Sequence, residues 1–520
     1  MNRRAVILLA IFILGLMIAP TACRRRNSKT FVIALGDNIR TIDPIGSPSV
    51  DAASERVRTL MFNSLVKKDE KFDYVGELAS DIKRSDDGLT HTFTLHDGVK
   101  FHDGRALTSA DVKYTLDLLF SSTFAKSASF FEGAGDQKRS YIKSVEAPDQ
   151  RTVVVTLTKP WVGLLSNLVP VPIIPKDSYE SQKTHPLGTG PFKFVSWDNT
   201  QQICDVEAFP EYWDGPAQLQ HVRVRVISDM NAMQAELQAG RVDIAPMPTS
   251  MSPDAIKRLE QDSNLQVRAF PGSNLILLTL NTASPPLDNV KVRQAIAYAI
   301  DRPTMIQQLL LGYGKIAHSI LPEESWAYSP GQTYNYDPAM ARKLLAEANF
   351  RPDKPVVYKL SGSSIAGRQY AGVIQNSLKE VGIPVEIQTS EINTLFDELR
   401  RGNFQIAYGQ WVGGNQDPIF YKDLFATSEI PTQTRSSRNR SRYSNPELDA
   451  LIDQAVNTYD RQKARELYVK IQEIVSRDVP VLPLWYQSNI VIARKNVQNI
   501  QVNASGDWYF VKNLSRKDTD

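Results

Sequence analysis

Short stretches in which apolar and polar residues alternate recur along this chain. Phe31 to Leu35, His91 to Leu95, Thr152 to Leu157, His221 to Ile227 and Leu265 to Phe270 each place their apolar side chains on one face of an extended segment. They predict strands, as does Gln202 to Phe209. Between them the period lengthens. Thr108-Ser109-Ala110-Asp111 has the form of a capping box, and Val112, Leu116 and Leu119 follow on one helical face. Val292 to Ile300 and Pro338 to Ala348 predict further helices, the first closed by Asp301-Arg302-Pro303. From residue 355 the pattern reads strand, helix, strand, helix, strand: Val356 to Leu360, 366–381, Val385 to Thr389, 392–400 and Phe404 to Gln410. Such alternation requires crossovers onto a partly parallel sheet. Helices over 445–458 and 460–476 then precede a strand from Val481 to Tyr486. The class is α/β.

The longest apolar run stands at the start. Ala5 to Ala19 carries no charge and follows Arg3 and Arg4. A bilayer-spanning helix needs about 20 residues, so this shorter run predicts an export signal and not a permanent span. Pro20-Thr21-Ala22-Cys23 closes it, and a cysteine after small residues here resembles a bacterial lipoprotein processing site. The expectation is a signal peptide over 1–22 and lipidation of Cys23. Pro20 departs from that pattern, which usually has an aliphatic residue there.

Composition narrows the remaining classes. The chain has 520 residues, 42% hydrophobic and 22% charged, an ordinary globular balance for about three domains. Sixty basic against 57 acidic residues leave a net charge of +3. Removing residues 1–22 takes away two arginines and no acid, giving 58 − 57 = +1, so no global charge points to nucleic acid. Two cysteines exclude a disulfide framework and a four-cysteine zinc site. With Cys23 lipidated, Cys204 is left as a small apolar residue within a strand.

The search for catalytic chemistry ends negative. His91, His96 and His102 lie near one another, but their spacing fits no common zinc pattern, and Asp97-Gly98 and Asp103-Gly104 read as turns. Gly312-Tyr313-Gly314-Lys315-Ile316-Ala317 mimics a dinucleotide fingerprint but follows a helix instead of a strand. Gly188-Thr189-Gly190-Pro191 lacks the ending of a phosphate loop, and Gly362-Ser363-Ser364-Ile365-Ala366 lacks the last glycine of a nucleophile elbow. Ile430 to Arg442 carries four arginines and no acid, which suits a solvated loop or a contact with an anionic ligand or partner.

Seven blocks in order resemble family 5 of the bacterial extracellular solute-binding proteins, the peptide- and nickel-type receptors of ABC importers. Glu77-Leu78-Ala79 with Ser85-Asp86-Asp87-Gly88-Leu89-Thr90-His91-Thr92-Phe93 is similar to that family's early hairpin. The most specific block is Asp97-Gly98-Val99-Lys100-Phe101-His102-Asp103-Gly104, continued by Leu107-Thr108-Ser109-Ala110-Asp111-Val112. Gly188-Thr189-Gly190-Pro191-Phe192, Tyr212-Trp213-Asp214-Gly215 and Val292-Arg293-Gln294-Ala295-Ile296 through Arg302 come next. Ala341-Arg342-Lys343-Leu344-Leu345 and Tyr443-Ser444-Asn445-Pro446-Glu447-Leu448-Asp449 complete the series.

The resemblance implies a two-lobed periplasmic-binding-protein type II fold with an extra inserted domain and hinge closure around a ligand. Domain I would comprise 31–60, 183–272 and 477–520, domain II the insertion 61–182, and domain III residues 273–476. Segments near 270–278 and 476–484 would form the hinge. The implied function is capture of an oligopeptide or related polar organic solute for ABC importer permease subunits, by a monomer held at a bacterial cell membrane through Cys23, outside the cytoplasm. No enzyme activity, cofactor or metal is implied. The implied ligand-binding residues are Trp411, Gly413, Gly414, Asn415 and Asp417, after the strand 404–410, together with Trp485, Tyr486 and Gln487. Peptide-binding members carry an ammonium-binding aspartate where Gly414 stands here, which leaves the solute open. A nickel-type metal or metal-chelate receptor is the alternative; a hydrolase on this scaffold and a sensor or chaperone that kept the fold are more distant ones.

Overall fold

The computed structural model describes residues 30–47, 51–132, 138–248, 251–411, 417–432 and 437–517. Its spine is one sheet of eleven strands, in which the segments run 192–198, 203–208, 221–226, 30–35, 244–246, 481–494, 265–280, 406–411, 356–361 and 385–390, with 314–316 paired to 481–494 off this path. The strand Thr30–Leu35 lies parallel to His221–Val226 and to Ile244–Pro246 at one end. Val356–Ser361 lies parallel to Val385–Ser390 and Ile406–Trp411 at the other. The partly parallel sheet expected from the 355–410 pattern is therefore present, with Ile406–Trp411 turned antiparallel to the central strand beside it.

Two long antiparallel strands, Leu265–Leu280 and Val481–Arg494, join the halves. Both are longer than their alternation predicts. The register shifts between Phe270 and Asn274 and again between Ile276 and Leu277. An irregularity of this kind breaks a period of two, so the pattern reads as a short strand ending at Phe270 while the chain continues extended. Pro271-Gly272-Ser273 fills the first break, and a Cβ on Gly272 would lie 2.0 Å from the carbonyl oxygen of Gln487. The two crossing strands approach there as closely as a glycine permits.

Alternation sends successive side chains of each strand to opposite layers. Phe31, Ile33 and Leu35 enter one core, and Ala34 enters another behind the sheet with Met233, Leu237 and Leu259. In the other half Ile406 and Tyr358 face a core with Ile296, Ile374 and Trp485, while Leu275 and Leu277 face Tyr421, Ile471 and Tyr486.

A second, antiparallel sheet of four strands (79–84, 90–95, 152–157 and 142–146) lies between residues 61 and 182. The helix Ser109–Ser121 buries Val112, Leu116 and Leu119 against it. Its start follows the expected capping chemistry: the Asp111 carboxylate accepts from the Thr108 N–H at 2.9 Å and from its hydroxyl at 2.8 Å. Helix ends elsewhere are equally literal. Asp301 accepts from the N–H of Thr304 and opens a new helix, Arg302–Leu309, with Pro303 in its first turn, so the expected stop is also a start.

Candidate ligand-binding cleft

The blocks that carry the family resemblance turn out to hold the scaffold together. His102 donates from Nε2 to the Gly190 carbonyl at 3.0 Å and accepts the Gly188 N–H on Nδ1 at 3.3 Å. Burial lowers its pKa to about 4, so the ring is neutral and both nitrogens are used. A Cβ on Gly188 would meet the Met61 carbonyl oxygen at 2.2 Å, which explains the glycine. His96 stacks on Trp213 with centroids 4.9 Å apart. His91 is buried, and that burial lowers its pKa to about 4. No group of three or more His, Cys, Asp or Glu side chains fit to hold a metal occurs among the described residues. The guanidinium of Arg293 donates to the carbonyls of Leu287 and Asp478, and that of Arg302 to those of Ala317, Tyr334 and Pro483. Both tie loops to helices. Cys204 is buried in the strand Ile203–Ala208, and burial pushes its thiol up to about 12. That is an inert packing residue.

The expected ligand and lipidation residues fall into four groups. Gly413, Gly414, Asn415 and Cys23 lie outside the described residues. Trp411 is the last residue of the strand Ile406–Trp411, one residue later than the pattern suggests. Its half-buried ring meets Phe420 edge to face at 5.2 Å, and the Arg438 guanidinium lies 5.6 Å from its centroid. Arg438 in turn pairs with Asp423 at 3.3 Å. Leu275 is the cross-strand neighbour of both Trp411 and Tyr486, so these two side chains share one face of the sheet.

Trp485 and Tyr486 are separated by the pleat. Trp485 points to the opposite layer, is 0% exposed, and meets Tyr370 edge-on at 5.0 Å. Its indole N–H is buried without an acceptor. Tyr486 is also buried and donates its hydroxyl to the Ser319 carbonyl at 2.5 Å. Gln487 stays nearer the surface and accepts from Gln410 Nε2 at 3.1 Å. The structure thus places two of the three residues inside cores.

Asp417 connects the halves. Its Oδ1 accepts the Ile419 N–H at 2.8 Å, bracing the turn that enters the helix Phe420–Phe425. Its Oδ2 accepts the hydroxyl of Tyr74, on the hairpin Val66–Lys68 and Tyr74–Gly76 of the other half. The same hairpin supplies Asp73, which pairs with Arg461, and the Lys71 carbonyl, which accepts the Trp326 N–H at 3.1 Å. Burial depresses the pKa of Lys68 to about 8, although the charges of Asp417 and Asp507 oppose the shift. Burial raises the carboxyl of Asp507, and Ser505, the Tyr509 N–H, Lys67 and Lys68 only partly offset this.

The wall continues along the first half. A Cβ on Gly506 would lie 2.8 Å from the Met247 Sδ, and Nη2 of Arg56 donates to that same sulfur at 3.8 Å. Arg56, Lys68, Tyr74, Met247 and Asp507 escape sequence reasoning, because each depends on contacts between distant segments. Arg56 alone left a trace. In its helix, Ala52–Met61, Arg58 has Glu55 three residues back, whereas Arg56 has no acid three or four residues away on either side.

Known proteins with this architecture place the cleft in context. The family model for bacterial extracellular solute-binding proteins, family 5, middle region, matches residues 73–432. The chain is 31% identical to the glutathione-binding protein GsiB of Pectobacterium atrosepticum over 471 residues, covering 87% of this chain and 88% of that one. It is 28% identical to heme-binding protein A of Haemophilus influenzae over 505 residues, covering 90% and 88%. The crystal structure of the ABC transporter substrate-binding protein CtaP from Listeria monocytogenes superposes with a TM-score of 0.81 at 25% identity, over 94% of this chain and 99% of that one. Among the described residues no helix is long and apolar enough to cross a membrane. Two sheet halves joined by crossing strands, polar contacts between them and a match over most of the chain make this protein a member of the bacterial extracellular solute-binding proteins, family 5, which are substrate-binding proteins of ABC transporters and not enzymes.

Proposed function

We propose that this protein is a lipid-anchored receptor that captures an oligopeptide or related polar organic solute and presents it to the permease of an ABC importer. In this reading domain I comprises 31–60, 183–272 and 477–520, domain II 61–182 and domain III 273–476. Closure turns on the crossing strands, and Cys23 carries the lipid outside the cytoplasm. The solute lies between the hairpin wall and the segment Trp411–Asp417. The observation that supports this most is the Tyr74–Asp417 hydrogen bond, a polar contact between the two halves beside the buried charge of Lys68. Contacts of that kind exist only when the halves are together, and a ligand touching both sides adds to them.

A cleft lined by Lys68, Asp507, Asp417 and aromatic rings suits a solute with charged and apolar parts. The relatives named for glutathione and for heme both combine the two. Native mass spectrometry of the protein purified from its own cell envelope tests the reading. A co-purifying solute of peptide-like mass, with raised thermal stability on adding it back, is the expected result. A chemically altered solute, or stoichiometric nickel alone, would overturn it. Labelling of wild type but not Cys23→Ala by radioactive fatty acid tests the anchor.

A further inference from the structure

Arg56, which is half-buried, stands apart from the buried cations of the first half. Arg58 is held by Glu55 at 2.7 Å, and Lys126 by the same carboxylate at 2.8 Å and by the Pro44 carbonyl at 2.8 Å. The Arg56 guanidinium makes no ion pair with any described residue, and its one hydrogen bond among them goes to a thioether, a weak acceptor. Burial lowers its pKa, with Asp37 acting only at a distance to oppose the shift. A half-buried guanidinium without an ionic partner keeps most of its five N–H donors available to a further group.

Its position says what that is. Asp37 and Met247 stand just past the C-terminal ends of the neighbouring parallel strands Thr30–Leu35 and Ile244–Pro246. The crevice outside such strand ends is where open α/β sheets take ligands. Met247, Gly506 and Asp507 link it to Lys68 and thence to Asp417 along one wall.

We propose that Arg56 is an anion-recognising residue of the cleft and that the solute carries a carboxylate which it binds through its guanidinium fork. A carboxylate fits better than a phosphate dianion. The site offers one cation whose field Asp37 already offsets in part, and the planar fork matches two coplanar oxygens. This inference rests on the receptor reading given above and deepens it.

The test is a cycle between residue and ligand. Wild type and Arg56→Gln are titrated calorimetrically with glutathione and with tri- to pentapeptides, each as the free acid and as its carboxamide. Wild type should bind at least one free acid roughly tenfold or more tightly than its amide, and Arg56→Gln should lose that preference. Thermal melting of both proteins controls for folding. Equal binding of acid and amide by wild type, or an undiminished preference in Arg56→Gln, overturns the assignment of Arg56 while leaving the receptor intact. Failure of wild type to bind any member overturns the peptide-like solute class and this inference with it.

Discussion

Replacing Tyr74 by Phe removes one oxygen from the seam between the halves and leaves the ring in place. The lost interaction is a phenol donating to the Asp417 carboxylate. A hydrogen bond to a charged group contributes about 1.5–3 kcal/mol net. Asp417 keeps the Ile419 N–H at 2.8 Å and lies near Lys68, so the variant does not strand a bare carboxylate. A loss near 2 kcal/mol, confined to the closed arrangement, shifts the balance of open and closed forms by roughly 30-fold. Ligand affinity should fall by up to the same factor, because closure supplies part of the binding energy. Asp73→Asn serves as the contrast. Its partner Arg461 is 46% exposed and Asp73 37%, so that pair contributes at most about 1 kcal/mol, or roughly fivefold. Small-angle scattering of the unliganded proteins reads the opening, and calorimetric titration reads the affinity. Unchanged scattering and affinity in Tyr74→Phe, or a larger effect in Asp73→Asn, would refute the reasoning.

Trp411→Ala should weaken solute binding by tenfold or more, to order of magnitude, without unfolding the protein, since the half-buried ring packs on Phe420 and Arg438 at the margin of the core; unchanged affinity would move the pocket elsewhere. Burial raises the carboxyl of Glu77 from 4.5 to about 7 against hydrogen bonds from Ser64 and Asn63. The folded protein therefore keeps a proton there that the unfolded chain has already released, and this group makes stability fall as pH rises from about 4.5 to about 7. Urea midpoints across that window should decline more steeply in wild type than in Glu77→Gln. Gly272→Ala should destabilise the protein by about 1–3 kcal/mol, because the new methyl meets the Gln487 carbonyl where the crossing strands touch; a melting temperature equal to wild type would show that the strands can part there without cost.

Much of the fold was legible because local chemistry and final structure agree. Thr108 and Asp111 announce a helix start, the 355–410 alternation announces a parallel sheet, and both occur. The family blocks were legible for another reason. Arg293, Arg302, Gly188 and His102 serve backbone carbonyls and close approaches that hold this fold together. The cleft was harder. Which of Trp485 and Tyr486 faces which layer depends on two register shifts that flank their pairing partners, and no local pattern encodes those. Tyr74 and Asp417 are 343 residues apart, so their contact exists only in the assembled molecule. Lys68 looks like an ordinary hairpin lysine until folding buries it within the field of Asp417 and Asp507.

The strand Val481–Arg494 sits in the middle of the eleven-stranded sheet, between 244–246 and 265–280, yet it follows every other strand of that sheet along the chain. Val491 and Ala493 enter the core of one half, with Trp508 and Val511 close behind, while Leu482 and Leu484 enter a core of the other. A nascent chain halted before residue 481 therefore has two unfinished half-sheets, each with an unpaired inner edge and an open apolar layer. Neither half can be completed in the usual N-terminal-first order of domain folding. The placement of this one strand makes the completion of the two halves a single event, because one segment supplies the missing inner strand of both.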